Sequence, residues 1–513
     1  MCGIVGLLDT RGGAGRGDIE AIAKRMADRL RHRGPDAHGT WADGEAGVAF
    51  GHRRLSVIDT SDLGLQPMTS ADGRYVITYN GEVYNFLDLR EELVERGHSF
   101  TGGSDTEVML AAFVEWGVEA AVERLWGMFA FGVWDKRDRK LYLVRDRVGV
   151  KPLCWSWRNG VLLFASELTA LEEHPAFDTE IDREAVAALV RTSYIPAPSS
   201  IYRHAHKLPA GSILVCEAGK EPEIRGYWHL RERIAANANG AAGAPPLDDE
   251  AAAERLEELM ADSVRRRMVA DVPLGAFLSG GIDSSVVVAL MQSQSSRRVR
   301  TFTIGFDRTE YNEAPHAKAV AEHLGTDHTE LYLDESHVLD VVPKLAGMFD
   351  EPFADSSQIP TYLISALTRE HVTVALSGDG GDEMFAGYPK YPVIERMWTR
   401  MGWMPGSVRG LAGSAIRAVP VGVWDAAGRL IPQRRRPQRV GQRAHRLGAL
   451  LNLPGDDALY GQLSAVFREE DKLVPGTAGT LRHRPDPELR ALLPDLVARM
   501  QYYDTMGYLP DDI

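Results

Sequence analysis

At 513 residues the chain is too long for one ordinary domain and suits two or three. Its 44% hydrophobic and 25% charged composition is that of a globular protein, and no run of roughly 18 apolar residues marks a membrane span. A net charge of −14 argues against nucleic-acid and membrane-surface partners, and three cysteines make no disulfide framework, which fits a reducing, cytoplasmic setting.

The chain opens "MCGIVG", and an exposed thiol at position 2 is an oxidation liability unless it has a use. "GIVGLL" is too short and lacks the basic flank of a signal peptide. Up to residue 230, short β-type runs alternate with turn signals: "GIVGLL", "GVAFGHRRLSVID", "RYVITYNGEVY", "MFAFGVWD", "KLYLVRD", "GVLLFAS" and "SILVCEAG". Helical patterns near 17–31 and 86–97 interrupt them. An α+β domain with a mostly antiparallel sheet system is expected.

Residues 234–250 are rich in Ala, Gly, Asn and Pro and read as a linker. An amphipathic helix follows, acidic first and arginine-rich last, as the helix dipole favours. Then strand, glycine turn and helix alternate: "VPLGAFLSGG", "SSVVVALMQS", "VRTFTIGF", "AKAVAEHLG", "HVTVALSGDGG". That alternation predicts a parallel α/β sheet. Beyond 390 the pattern is mainly helical, and the arginine-rich stretch 432–446 reads as a solvated face or loop. No internal repeat or metal-type Cys/His spacing occurs; His323 and His328 read as ordinary polar residues.

Two strand ends carry chemistry. "LSGGIDSS" spans Leu278 to Ser285; Gly280 and Gly281 let the backbone approach a ligand, and Ser279, Ser284 and Ser285 add hydroxyls. The next helix aims its N-terminus at the turn, which makes an anion cradle. "LSGDGGDEMFAGY" ends a second strand with Asp379, Asp382 and Glu383. In an open parallel sheet ligands sit beyond the carboxyl ends of strands. Asp283 and Asp382 are the expected Mg2+ ligands; a helix N-cap is the competing reading of Asp283.

S-G-G-x-D-S resembles the loop of N-type ATP pyrophosphatases. "SGGIDSS", "TIGF" and "SGDGGDEMFAGY", in that order, are similar to glutamine-hydrolysing asparagine synthetases. The resemblance implies a class II, N-terminal-nucleophile amidotransferase domain in front, and its motifs are present: "MCGIVG", "RHRGPD" (31–36), "HRRLSVID" (52–59), "YNGEVYN" (79–85), "GGSDTEV" (102–108), "RDRVGVKPL" (145–153) and "FASE" (164–167). The implied fold is an Ntn-hydrolase-type antiparallel sheet sandwich over 2–218, a connecting hairpin and linker over 219–249, and an α/β ATP-pyrophosphatase domain with added helices over 250–513. The family continues beyond "YLPDDI" into a segment with a catalytic lysine, so the second domain is expected to be cut off at Ile513.

Removal of Met1 would give Cys2 both a thiol and an α-amine of pKa about 8, a base for its own thiol. By resemblance the Asn80 side chain and Gly81 N–H form an oxyanion hole. Arg54 holds the glutamine carboxylate, and Glu82 and Asp105 its ammonium group; without the family Asp105 reads as a helix cap. Leu278, Ile304, Ser377 and Gly378 join the loop residues at ATP. Asp379 joins the catalytic set where many members carry Glu. The implied reaction forms asparagine from aspartate, with ATP, Mg2+ and glutamine, and ammonia passes between sites. Other acids in cell-wall or natural-product amidation, a glutaminase-only enzyme and a non-catalytic homologue remain alternatives. The expected partners are small molecules, and a homodimer is compatible with the family.

Overall fold

The computed structural model describes residues 1–12, 15–240, 248–306, 312–430, 438–479 and 486–512. The chain forms two compact units, one of Met1–Ala185, Tyr194–Asp379 and Pro510–Ile513, the other of Val186–Ser193 and Gly380–Leu509.

The first unit begins with β1 (Gly3–Asp9), β2 (Ala37–Asp43), β3 (Val48–Arg54), β4 (Met68–Thr69), β5 (Tyr75–Val83), β6 (Gly127–Asp135), β7 (Lys140–Arg145), β8 (Cys154–Arg158), β9 (Val161–Ala165), β10 (Ala205–Lys207), β11 (Ser212–Glu217) and β12 (Glu223–Gly226). They make two antiparallel sheets, ordered β10-β8-β9-β1-β3-β2 and β12-β11-β7-β6-β5-β4. Alternation decides which side chains meet. Ile4, Phe50 and Phe164 of the first sheet pack with Val76, Trp134 and Leu143 of the second. Each such buried side chain contributes about 1.5–3 kcal/mol. The opposite face of the second sheet, with Tyr75, Ile77 and Phe131, is covered by Leu93 of the helix Phe86–Glu95 and by Met109 and Phe113 of the helix Asp105–Trp116.

The same unit contains a parallel sheet of β13 (Leu274–Phe277), β14 (Arg300–Phe306), β15 (Asp327–Leu333) and β16 (Val374–Leu376) in the order β15-β14-β13-β16. Its connections run to one side of β13 for β14 and to the other for β16, so the order reverses between β13 and β16. That is where an open sheet offers a ligand crevice. The helix Asp249–Arg267 starts on Asp248, whose side chain accepts from Ala251 N–H at 2.8 Å, and carries Arg265, Arg266 and Arg267 in its last turn. Its Val264 packs with Leu278, Val288 and Met291.

Charged groups stitch the parallel sheet's surroundings to the sandwich. Asp59 N–H donates to Asp271 at 2.7 Å, and Arg266 pairs with Asp88 at 2.6 Å. Leu168 N–H donates to the half-buried Asp350, and Ile201 N–H to Glu351 at 2.9 Å. Lys207 lies 2.7 Å from Glu351 and 3.7 Å from Asp511, whose carboxylate also accepts from Ala197 N–H.

The second unit is helical, with Lys390–Met401, Gly406–Ala418, Val421–Gly428, Val440–Leu451, Asp456–Leu463 and Leu496–Tyr503. Its core includes Tyr391, Ile394, Leu459 and Met500. Fully buried Arg499 is matched by Asp457 at 2.8 Å and Asp456 at 2.6 Å. Buried Asp504 accepts from Lys390 and from the Tyr391 and Tyr460 hydroxyls. Part of the arginine-rich stretch, 431–437, and part of the linker, 241–247, lie outside the described residues.

The fold class agrees with the expectation, and particular elements depart from it. The helix Asp105–Trp116 escapes a periodicity search because it is buried almost all round and shows no stripe. β8 hides because Ser156 takes an inward position, where its hydroxyl donates to His204 O at 2.7 Å. β2 carries too few apolar residues to register. His328 behaves as an ordinary polar residue, its Nδ1 lying 2.9 Å from the Thr301 hydroxyl.

Candidate active site

Pairing of Gly3 with Arg53 sets Cys2 beside the end of β3. The Leu55 N–H donates to Cys2 Sγ at 3.4 Å, and Sγ lies 3.6 Å from Leu55 O. Across the sandwich, β5 brings Asn80, Gly81 and Glu82 to the same place. Cys2, Arg54, Asn80, Gly81, Glu82 and Asp105 all line one cavity of about 830 Å³.

Each position has a local cause. Gly81 lies against β6: a Cβ there would sit 2.2 Å from Met128 O and 2.7 Å from Phe129 Cα, so only glycine keeps the strands paired. Asn80 is buried, and its Nδ2 has no hydrogen-bond partner among the described residues. An unspent donor of this kind costs stability and is kept where a ligand satisfies it. Asp105 is not the helix cap. Ser104 caps the helix by accepting from Glu107 N–H, which leaves the buried Asp105 carboxylate to accept from Tyr79 Oη at 2.7 Å and Val83 N–H at 3.0 Å. Arg54 spends Nη1 on Ser61 O at 2.8 Å and Nη2 on Asp59 O, which ties down the following loop.

Burial pushes the Cys2 thiol up, opposed by the Leu55 N–H and by neighbouring positive charge. Burial also lowers the terminal amine, here that of Met1, to about 6. Glu82 is raised to about 7 by burial and by the charge of Asp105, and Asp105 is raised mainly by burial. Such opposed shifts within one cavity are a mark of functional sites. Two cations of the cavity that lie beside the chain start, Arg33 and Lys151, were not singled out from sequence, although both stand in quoted motifs. Arg33 donates Nε to Cys2 O at 3.0 Å and pairs with Glu167 at 2.9 Å. Lys151 is nearly inaccessible, with 6% of its surface exposed. Its one sequence signal is a lysine set among Gly149, Val150 and Pro152.

The same cavity reaches Phe277, the last residue of β13, and Val374 and Ala375 of β16. The loops that follow these strands meet at the switch point. A Cβ on Gly378 would lie 2.8 Å from Ser284 N and 3.0 Å from Asp283 Cβ. Inside the first loop, Gly281 N–H donates to Ser279 Oγ at 3.2 Å, Ser279 Oγ and Ser284 Oγ are 2.9 Å apart, and Ser285 Oγ donates to Gly281 O at 2.6 Å. Gly281, not Asp283, is the N-cap of the helix Ile282–Ser293, and no side chain caps it. The first-turn N–H groups therefore stay available, with Asp283 among them. Leu278 N–H is held by Phe302 O at 2.9 Å, and Ile304 is half-buried on β14. Ser377 Oγ donates to Asp379 at 2.7 Å. Asp382 belongs to the second unit, in the short helix Gly381–Phe385. Among the described residues one trio of metal-type donors occurs, Asp178, Glu180 and His204, but Arg158 and Arg203 pair with its carboxylates.

A thiol beside an antiparallel sandwich thus shares one cavity with the ends of two strands at the switch point of a parallel sheet. In comparison with known proteins, residues 1–228 match the family model for a glutamine amidotransferase domain and residues 255–513 that for asparagine synthase. The chain belongs to the asparagine synthase family. It is 37% identical over 76% of its length to asparagine synthetase [glutamine-hydrolyzing] 1 of Bacillus subtilis, of which it spans 59%. It is 36% identical to putative asparagine synthetase [glutamine-hydrolyzing] 2 of Methanocaldococcus jannaschii, with 76% of each chain covered. To asparagine synthetase B of Escherichia coli it is 31% identical over 76% of this chain and 65% of that one.

Proposed function

We propose that the chain is a glutamine-hydrolysing, ATP-dependent amidotransferase that forms asparagine from aspartate. The observation that carries this reading is the single cavity running from Cys2 to the strands bearing the two glycine loops. The proposed boundaries are those expected from sequence: a glutaminase half over 2–218, a connector over 219–249 and a synthetase half over 250–513.

Once Met1 is removed, the Cys2 amine takes the thiol proton, and the thiolate attacks the side-chain amide of glutamine. Asn80 Nδ2 and Gly81 N–H receive the oxyanion. Glu82 and Asp105 hold the substrate ammonium, and the Arg54 guanidinium holds its carboxylate with the donors not spent on the loop. Ammonia leaves, and water resolves the thioester to glutamate. Ammonia kept in the cavity escapes bulk water, where it would become ammonium. In the synthetase half the first-turn N–H groups and serines of Leu278–Ser285, with Ser377 and Gly378, cradle the ATP phosphates, and Leu278 and Ile304 contact the adenosine. The free helix N-terminus and the Asp283 carboxylate suit Mg-ATP; Mg2+ there would neutralise phosphate charge. The acid attacks the α-phosphorus, pyrophosphate leaves, and ammonia displaces AMP from the acyl-adenylate. Asp379 assists the proton transfers of that step.

Two assays test this. With glutamine alone the chain should release glutamate. With Mg-ATP, aspartate and ammonium chloride it should release AMP and pyrophosphate in step with asparagine. Pyrophosphate absent with every acid tried would refute the synthetase half of the proposal. Gly378→Ala should raise the KM for ATP about tenfold, as its Cβ forces the loops apart, and leave glutamate release unchanged. An unchanged KM for ATP would remove Gly378 from the nucleotide site.

A further inference from the structure

Lys151 stands in the loop after β7, held there by its N–H on Asp146 at 3.0 Å and by Arg145 Nε donating to its carbonyl at 3.0 Å. Its ammonium is buried, lines the cavity with Cys2 and pairs with no carboxylate among the described residues. The nearest polar contact of Nζ is the Met1 thioether sulfur at 3.3 Å, and that contact goes when Met1 goes. A buried charge without a partner is expensive. Burial lowers the Lys151 ammonium, and the charges of Glu82 and Asp146 offset that only in part. Asp146 spends its carboxylate on the N–H groups of Phe129, Val148, Val150 and Lys151. Glu82, which faces it from β5, is itself pushed towards neutrality. Arg33, the other cation against the chain start, is balanced by Glu167.

We propose that Lys151 is a positioning residue of the glutaminase centre: its unpaired ammonium drives the proton off the Cys2 amine–thiol pair and so keeps that pair ready to react near neutral pH. The inference rests on the glutaminase reading of Cys2. A nearby positive charge disfavours the protonated amine and favours the thiolate, so both effects have the same sign. Arg33 and Arg369 act on the Met1 amine in the same direction as Lys151, and Arg54 and Arg33 lower the Cys2 thiol. Lys151 differs from Arg33 in having no ion-pair partner, and from the exposed Arg369 in being buried.

The test is the pH dependence of Cys2 alkylation by iodoacetamide, measured on the full chain after Met1 removal, which intact mass verifies. Cys154 and Cys216 are buried, so the fast-reacting thiol is Cys2. Lys151→Met, close in shape, should move the acid limb up by about one pH unit, and alkylation one unit below the wild-type limb should fall about tenfold. Lys151→Arg should restore the limb. The kcat/KM for glutamine should follow the same shift, with KM little changed. A limb unmoved in Lys151→Met, a loss confined to KM, or a limb that vanishes in Glu82→Gln would overturn the proposal. Alkylation needs no glutamine. A chain that hydrolyses none would sink the glutaminase reading, while the alkylation limbs still decide what Lys151 does.

Discussion

Cys2→Ala should cut glutamate release from glutamine by roughly 10³-fold or more, because no other thiol among the described residues lines the cavity. Cys154 and Cys216 are buried elsewhere in the sandwich and cannot substitute. The loss should fall on kcat, since the proposed glutamine contacts Glu82, Asp105 and Arg54 remain. Pyrophosphate release with ammonium chloride should be spared, because the parallel sheet and its loops do not depend on the thiol. Hydrolysis persisting in the variant would mean that position 2 is not the nucleophile.

Asn80→Ala should lower kcat for glutamine hydrolysis by about 10²–10³-fold, the usual cost of losing one oxyanion donor. The argument is energetic as well as geometric. Asn80 Nδ2 is buried and unpaired, so its removal relieves a penalty in the resting protein. The variant should therefore be as stable as wild type, or more so, in a denaturant titration while it loses activity. A structural asparagine would behave the opposite way, losing stability first. Equal kcat in the variant would assign Asn80 to packing.

Much of this was legible in the sequence, and the reason is physical. Glycine loops at strand ends and short alternating runs announce themselves locally: "LSGGIDSS" and "RYVITYNGEVY" state their geometry in a few residues. What stayed hidden depends on neighbours far along the chain. Nothing near Lys151 says that Met1 and Cys2 will lie beside it. Asp105 looked like a helix cap because Asp before an apolar run usually is one. Only the fold brings Tyr79 and Val83 to its carboxylate and hands the cap to Ser104. Arg54 read as a fork for a substrate carboxylate, yet part of that fork holds a loop of the protein itself.

The ammonium of Lys207, shared between Glu351 and Asp511, limits how such proteins can be recombined. Its stem lies in the sandwich, and its counter-charges arrive from sequence some 150 and 300 residues later. A chimera that grafted a foreign second half onto this sandwich would have to import both acids at matching heights. With both acids missing, a cation is sealed in without its counter-charge, at a cost of about 3–5 kcal/mol. The two halves of the chain thus inherit each other as a matched lock, and exchange of whole genes should be tolerated far better than exchange of halves.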